Sequence, residues 1–198
     1  MSPTIESLTG FPAAAFLTPS SDLVLPRYHS EDLPRHLTAL KVGFDFLLRL
    51  PPASRKGYIF SNDIRYLTRQ GRYTRLLHQS RILQQDAAGN LTHSLFTLSS
   101  LDHLNLQGPL TAAILDKRGA LHQTVDFTTG TLRRHKPLSP CQRQILQLIG
   151  QGLSSKEIAG ALQLKLHTVH THRRDMLTKT GCRNTGELMR LALTFGLI

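Results

Sequence analysis

The chain has 198 residues, 40% of them hydrophobic, and 24 Lys/Arg against 13 Asp/Glu give a formal net charge of +11. This composition is ordinary for one or two globular domains, no apolar run reaches the length of a membrane span, and the N-terminus lacks a signal-peptide pattern, so we expect a cytoplasmic protein. Residues 132–198 carry 11 Lys/Arg against 3 Asp/Glu. A compact basic unit favours a polyanionic partner such as nucleic acid, although a solvated basic surface would give the same charge.

The first 30 residues hold four prolines, at Pro3, Pro12, Pro19 and Pro26. Regular structure should therefore be short in this region. A helix is predicted next, because apolar residues recur at helical spacing from Leu33 to Leu48. Ser30 is positioned to cap this helix, and Pro51-Pro52 should end it.

Five strands are predicted after Pro52, over Tyr58–Thr68, Tyr73–Gln84, Leu91–Ser100, Thr111–Asp116 and Ala120–Phe127. The first three are separated by short turns at Gln70-Gly71 and at residues 86–90, which is typical of an antiparallel meander. The last two flank Lys117-Arg118-Gly119 and predict one more hairpin.

Four helices are predicted after a linker over residues 128–137, which contains Gly130, Pro137 and a basic cluster. Three pairs fit the capping-box pattern at helix starts: Ser139 with Gln142, Ser154 with Glu157, and Asn184 with Glu187. The predicted inner face of the third helix is Leu166, Val169, Met176, Leu177 and Thr180, and that of the fourth is Leu188, Leu191, Ala192 and Phe195. The fourth helix then has three apolar residues left over, Met189, Leu193 and Leu197, which predict a surface for a second subunit.

The second and third helices, joined by a tight turn, predict a helix-turn-helix. The outer stripe of the third helix has helical spacing and consists of His167, His170, Thr171, Arg174 and Thr178. All five are polar and none is acidic, which suits the donors and acceptors of the DNA major groove. An ordinary solvated helix face would look the same on periodicity alone.

The segment Leu138–Ile198 resembles the LuxR-type, or GerE, DNA-binding domain over its whole length. The residues that carry the match are Leu138-Ser139, Gln142, Arg143, Ile145-Leu146, Gly152–Ala159, Leu162, Thr168-Val169, His172, Lys179, Gly181 and Glu187-Leu188. The resemblance implies that the third helix enters the major groove and that the fourth helix often pairs two subunits. By position, the base readers would be His170, Thr171 and Arg174.

Seven further residues are expected to meet the DNA around these base readers: His167, Lys156, Lys165, Thr168, His172, Arg173 and Lys179. The chain departs from the family pattern at three positions. His170 replaces the usual Lys, Lys165 replaces the usual capping Ser, and Gln144 replaces the usual Glu. These departures make transfer of the relatives' base preference unsafe.

Residues 28–104 resemble part of a PAS fold. The resembling pieces are residues 29–34 before a helix, residues 70–73 between two strands, and residues 91–104 as a closing strand with the segment after it. A PAS fold ordinarily has a strand pair and helices before the segment that begins here at His29, and only 28 residues precede that segment, so we expect an incomplete ligand pocket and assign no cofactor. The early acidic pair and central aspartate of a phosphorylated receiver domain are not found.

No enzyme signature is found in the chain. The spacing of His167, His170 and His172 lacks the i, i+4 pair typical of zinc motifs, and Cys141 and Cys182, 41 residues apart, do not suggest a metal site. Three acidic residues could be proposed as an acid–base group, namely Asp22, Glu31 and Asp32. They form no motif, and we interpret Glu31 and Asp32 as solvated acids at a helix start.

The sequence therefore predicts an α+β protein with two domains. Residues 1–127 form a PAS-like sensor or dimerisation domain with an antiparallel sheet, residues 128–137 a linker, and residues 138–198 an all-α, four-helix DNA-binding domain. The expected partners are double-stranded DNA, a second copy of the chain and RNA polymerase, with no membrane. Two rival hypotheses are an adaptor whose basic helices bind an acidic protein, and an enzyme domain with a DNA-binding tail.

Overall fold

The structure is a computed structural model that describes residues 4–16 and 21–198. The N-terminal part contains only short elements: helix α1 (Thr4–Thr9), a 3-10 turn at Ala13–Phe16, helix α2 (Ser21–Val24) and a 3-10 turn at Leu25–Arg27. Regular structure is thus short here, as the prolines predict. Pro3, Pro19 and the side chain of Asp22 lie outside the described residues.

The predicted long helix is confirmed as α3, which spans Asp32–Leu48. Ser30 does not cap it: the N-cap is Glu31, without a side-chain cap bond. The backbone N–H groups of Asp32 and Leu33 donate to the carbonyl of His29, so a turn that begins at His29 leads into the helix. A single-turn helix, α4 (Pro52–Arg55), follows the predicted stop.

Helix α3 faces the sheet with small and polar residues rather than with its leucines. The buried positions are Asp32, His36, Ala39 and Gly43, whereas about half of each side chain remains exposed at Leu37, Phe44 and Leu48. Gly43 explains the choice of face, since a Cβ atom there would lie 2.9 Å from Cδ2 of Phe60. The helix backbone therefore rests directly against an aromatic ring of the sheet.

The sheet has six strands in the order β3-β2-β1-β4-β5-β6. Their bounds are β1 Tyr58–Leu67, β2 Tyr73–Gln85, β3 Leu91–Ser100, β4 Ala112–Asp116, β5 Leu121–Asp126 and β6 Thr131–Arg134. Strand β1 pairs antiparallel with β2 and β4, and β2 pairs antiparallel with β3. The predicted meander is confirmed, with Gly71 (φ 78°) in the turn between its first two strands.

The stretch predicted as a linker, residues 128–137, contains strand β6. Gly130, at φ 65°, allows the chain to reverse directly after β5, and the residues that follow join the edge of the sheet. The basic cluster at residues 133–136 therefore begins inside a strand. The chain divides into two compact units. The N-terminal unit contains residues up to 119 together with residues 123–133, and the C-terminal unit contains residues 134–198 together with residues 120–122.

Asp32 anchors the N-terminal end of α3 and is fully buried, so its interpretation as a solvated acid is wrong. Its carboxylate accepts hydrogen bonds from the backbone N–H of Arg65 (3.0 Å), from Nε and Nη2 of the same arginine (2.9 and 2.7 Å), and from the backbone N–H of Leu110 (3.0 Å). Burial acts to raise the pKa of Asp32, but the hydrogen bonds and charge of Arg65 outweigh it and hold that pKa below its ordinary value. Glu31 contacts the same guanidinium with its side chain 65% exposed.

A second buried carboxylate, Asp63 on β1, pairs with Arg75 on β2. It also accepts a hydrogen bond from the backbone N–H of Thr111, at 2.7 Å, and Arg75 donates to the carbonyl of Gly108. The segment before β4 is therefore held by a charged pair on the two neighbouring strands.

The C-terminal unit contains four helices, as predicted: α5 (Pro140–Gly150), α6 (Ser155–Ala161), α7 (Leu166–Thr180) and α8 (Thr185–Thr194). The capping boxes of Ser139 and Ser154 are confirmed, with both reciprocal bonds present. The third is only half formed: Asn184 caps α8, but Glu187 bonds Arg183 instead of the Asn184 backbone.

The core of this unit contains residues from all four helices. The buried apolar residues are Ile145, Leu146, Ile158, Ala159, Val169, Met176, Leu188 and Ala192. Leu166, predicted on the inner face of α7, is 45% exposed because it is the first residue of the helix, ahead of the first buried position, Val169. Among the described residues no helix has the length and apolar character needed to cross a bilayer.

The buried carboxylate of Asp32 gives a test of the N-terminal fold. Asp32→Ala leaves the backbone N–H groups of Arg65 and Leu110 without their acceptor and removes the buried carboxylate from the Arg65 guanidinium, and we expect it to cost about 3 kcal/mol of unfolding free energy, measured by chemical denaturation. Glu31→Ala is the matched control, because it removes an exposed carboxylate from the same arginine; its denaturation midpoint should stay close to that of the wild type. Equal losses in the two variants would contradict the anchoring role of Asp32.

Candidate nucleic-acid interface

Helices α6 and α7 are joined by a tight turn of four residues, 162–165. Gln163 adopts a left-handed conformation there, with φ 54°. The backbone N–H of Leu164 donates to the carbonyl of Ala159 at 2.9 Å, and the Leu164 side chain packs on the core. Leu162 packs on the same core, so the turn is fixed by its backbone and by two inward side chains, and the two helices form a helix-turn-helix.

The predicted outer stripe of α7 is exposed along its whole length. Its members are His167, His170, Thr171, Arg174 and Thr178. Val169 and Met176 lie on the opposite side of the helix and are fully buried. The Thr178 hydroxyl donates to the carbonyl of Arg174, at 3.1 Å, within the helix itself. The stripe is therefore a continuous polar surface.

No acidic side chain belongs to this stripe, and two nearby acids of the unit are engaged elsewhere. Glu157 closes its capping box with Ser154, and hydrogen bonds from Ser154 lower the pKa of Glu157. Glu187 pairs with Arg183, which lowers the pKa of Glu187. Lys156 and Lys165 are both exposed, on α6 and at the N-cap of α7. Thr168 is half-buried in the first turn of α7.

Three residues expected to face DNA direct polar atoms into the domain instead. Arg173 donates to the Ser155 hydroxyl (2.9 Å) and the Thr185 hydroxyl (3.2 Å), and so links α6, α7 and α8. Lys179 donates to Gln142 Oε1 (2.8 Å) on α5 and to the carbonyl of Pro137 (3.3 Å). These two cations therefore brace the helices.

His172 is the third such residue. Its Nε2 lies 3.6 Å from Sγ of Cys141 on α5, and its Nδ1 is buried without a hydrogen-bond partner among the described residues. The sequence indicates the inward position of Arg173. This residue follows Val169 by four positions and precedes Met176 by three, which is the spacing of the buried face. No group of three or more His, Cys, Asp or Glu side chains in the described residues could hold a metal ion.

The apolar surplus predicted on α8 is smaller than expected. Met189 and Leu197 pack against the core of the C-terminal unit, and Met189 and Ile198 also approach Gly150. Leu193 remains exposed, at 37%. Helical periodicity placed Leu197 on the outside because it assumes that the helix continues, whereas the chain turns after α8, at Gly196 (φ 66°), and Leu197 returns to the core.

A short helix, a fixed turn and a longer helix with a polar outer face, set on a four-helix core, define a helix-turn-helix DNA-binding domain. Residues 136–192 match the family described as bacterial regulatory proteins, luxR family, or GerE. The chain therefore carries a LuxR-type helix-turn-helix domain at its C-terminal end.

The chain is similar to curated transcription regulators over stretches of 57 to 62 residues. It is 44% identical over 62 residues to the transcriptional regulatory protein MctR of Rhizobium johnstonii, which covers 31% of this chain and 29% of that protein. It is 42% identical over 57 residues to the transcriptional regulatory protein UhpA of Escherichia coli, covering 29% of each. The chain thus spans under a third of the length of these relatives.

Among solved structures, the chain resembles the Vibrio cholerae LuxR-type receptor VqmA. The sequence identity is 16%, the alignment covers 78% of this chain and 63% of that one, and the TM-score is 0.30. A complex of VqmA with ligand and DNA gives 16% identity and a TM-score of 0.32.

Two adjacent arginines of α7 provide a matched test of this geometry. Arg173→Ala removes hydrogen bonds to Ser155 and Thr185, and we expect it to lower the unfolding free energy of the C-terminal unit by about 1–2 kcal/mol. Arg174→Ala removes an exposed side chain and should change stability by less than about 0.5 kcal/mol. Thermal unfolding followed by helical circular dichroism measures both, and a loss at Arg174 as large as that at Arg173 would contradict the assignment.

Proposed function

We propose that this protein is a sequence-specific DNA-binding transcription regulator and that α7 reads the major groove. The observation that carries the proposal is the exposed stripe on the second helix of a helix-turn-helix, whose five members are all polar and none acidic: His167, His170, Thr171, Arg174 and Thr178. The net positive charge of the last third of the chain supports the same partner, because phosphate groups supply most of the affinity for DNA.

Within the stripe, His170, Thr171 and Arg174 are assigned to base edges. Arg174 can donate two hydrogen bonds to a guanine, and Thr171 can offer a hydroxyl or a methyl contact. His167 and Thr168, in the first turn of the helix, and the exposed Lys156 and Lys165 are assigned to the flanking phosphates.

Three of the residues that the family resemblance assigns to DNA take a different role in this proposal. His172, Arg173 and Lys179 act as positioning residues, because their polar atoms are bonded to α5, α6 and α8. They would set the angle at which α7 leaves the domain, and so the depth at which the stripe meets the groove.

The N-terminal unit is proposed to be a PAS-like sensor or dimerisation domain. A long helix followed by an antiparallel meander supports this proposal. A second copy of the chain is the proposed partner for reading a two-part operator, since one helix in one groove contacts few base pairs. RNA polymerase is the proposed further partner in a cytoplasmic setting.

The roles of Arg174 and Lys156 are separable by experiment. Arg174→Ala should weaken binding to the preferred site by roughly 1–3 kcal/mol and relax the sequence preference. Lys156→Ala should weaken binding to all duplexes alike and reduce the slope of log affinity against log salt by about one unit. Selection of a preferred duplex by the purified wild-type protein, followed by fluorescence anisotropy titrations over several salt concentrations, provides both measurements.

Two outcomes would count against the proposal. If Arg174→Ala lost affinity equally on the preferred and on a scrambled duplex, Arg174 would contact phosphate and not a base. If the wild-type protein bound an acidic polypeptide as tightly as any duplex, and all duplexes equally, the adaptor hypothesis would replace that of a transcription regulator.

A further inference from the structure

The N-terminal unit contains a cavity of about 370 Å³ between helix α3 and strands β1 to β3. The sequence predicts an incomplete pocket in this unit, whereas the structure has one in the lower part of the range of roughly 300–1,000 Å³ typical of small-molecule sites. Its inner wall is formed by the buried residues His36, Phe60 and Ile82 and by His78, which is half-buried. Phe44 and Phe96, which are 49% and 61% exposed, stand at the side that faces solvent.

Two histidines supply polar chemistry deep in this apolar cavity. Their rings lie 6.1 Å apart, between centroids, at an interplanar angle of 64°. Burial lowers the pKa of His36 to about 4, with a smaller contribution from His78, and burial lowers the pKa of His78 to about 4 as well. Both imidazoles are therefore neutral at physiological pH, and each offers one N–H donor and one lone-pair acceptor.

The two rings differ in how they are satisfied. Nδ1 of His78 lies 3.1 Å from Oδ1 of Asn62, and the ring stacks on Phe96 at an interplanar angle of 9°. Nδ1 of His36 is buried and has no hydrogen-bond partner among the described residues. His36 is 4% exposed and lines the cavity. A buried polar atom left without a partner costs about 1–3 kcal/mol, so a ligand group that reaches it would gain that interaction.

The charges of the cavity restrict what it can hold. Among the residues whose side chains the structure describes, no aspartate or glutamate lines it, and Arg81, the one of them with a permanent charge, is exposed to solvent. A cationic ligand would thus find no counter-ion, and an anion would find one only at the solvent-exposed side. Five aromatic side chains line the cavity, namely Tyr28, Phe44, Tyr58, Phe60 and Phe96, and such a lining favours a planar aromatic ligand.

We propose that this cavity binds a small, uncharged, planar organic molecule of one or two rings that carries a hydroxyl group, and that the hydroxyl forms a hydrogen bond with Nδ1 of His36. A hydroxyl group suits this position because it can donate to the ring nitrogen or accept from it, and so pairs with either neutral tautomer. The remaining ligand surface packs against Leu40, Phe60 and Ile82. This site is independent of the DNA-binding role proposed for the C-terminal unit.

The test uses the full chain and two probes that differ only in the hydroxyl group, 1-naphthol and naphthalene. The affinity of each probe is measured by calorimetric or fluorescence titration for the wild type, for His36→Phe and for His103→Phe. The last variant is the matched control, because His103 is an exposed histidine of the same unit that does not line the cavity.

We expect the ratio of 1-naphthol to naphthalene affinity to fall by about tenfold in His36→Phe and to stay unchanged in His103→Phe. Retained naphthalene binding in His36→Phe shows that the cavity is intact. The cationic 1-naphthylmethylammonium should bind the wild type more weakly than 1-naphthol does. An unchanged ratio in His36→Phe, stronger binding of the cation, or no binding of 1-naphthol at about 1 mM would overturn the proposal.

A measurement on the wild type alone decides the matter if His36→Phe does not fold. The ring ¹⁵N resonances of the histidines are followed by NMR as each probe is added. We expect the His36 Nδ1 resonance to move with 1-naphthol and to stay in place with naphthalene. No movement at saturating 1-naphthol would show that the hydroxyl does not reach this nitrogen.

Discussion

The N-terminal unit depends on one buried carboxylate, that of Asp32, which joins three parts of the chain that are distant in sequence. It accepts hydrogen bonds from Arg65 near the end of β1 and from the backbone of Leu110, just before β4. The start of α3, the central strand and the segment entering β4 are therefore fixed together. A buried charge of this kind is stable only when its partners are in place, so the interaction selects one arrangement of helix on sheet.

The cavity follows from that arrangement. With the start of α3 fixed to β1, the helix runs across the sheet and presents His36, Ala39 and Gly43 inward. The Asp63–Arg75 pair holds the neighbouring strands and the loop before β4 in the same way. The Asp32–Arg65 pair lies at the N-terminal end of α3. The cavity lies farther along the helix, where uncharged aromatic and imidazole rings line it.

Local patterns in the sequence predict much of this structure. Strands β1 to β3 were predictable because aromatic and β-branched runs end at Gly-containing turns, and α5 and α6 because each start carries a complete capping box. The burial of Asp32 was not predictable in this way. Its partners lie 33 and 78 residues away, and an acid at a helix start is ordinarily solvated.

The surface proposed to face DNA also combines features that local sequence predicts with features that depend on tertiary packing. Periodicity alone located the exposed stripe of α7, whereas the inward bonds of Arg173 and Lys179 depend on where α5, α6 and α8 pack. Strand β6 escaped prediction because its basic composition resembles a linker, and only the adjacent strand provides its pairing.

Because Gly43 contacts Phe60, the shape of the cavity depends on the size of the residue at position 43. A Cβ atom at position 43 would approach the ring to 2.9 Å, so any larger residue must displace Phe60 or lift the helix. Both residues line the cavity. Substitution at a single helical position could therefore reshape the cavity without altering the histidines, and in a lineage of such proteins residues 43 and 60 would be expected to vary together.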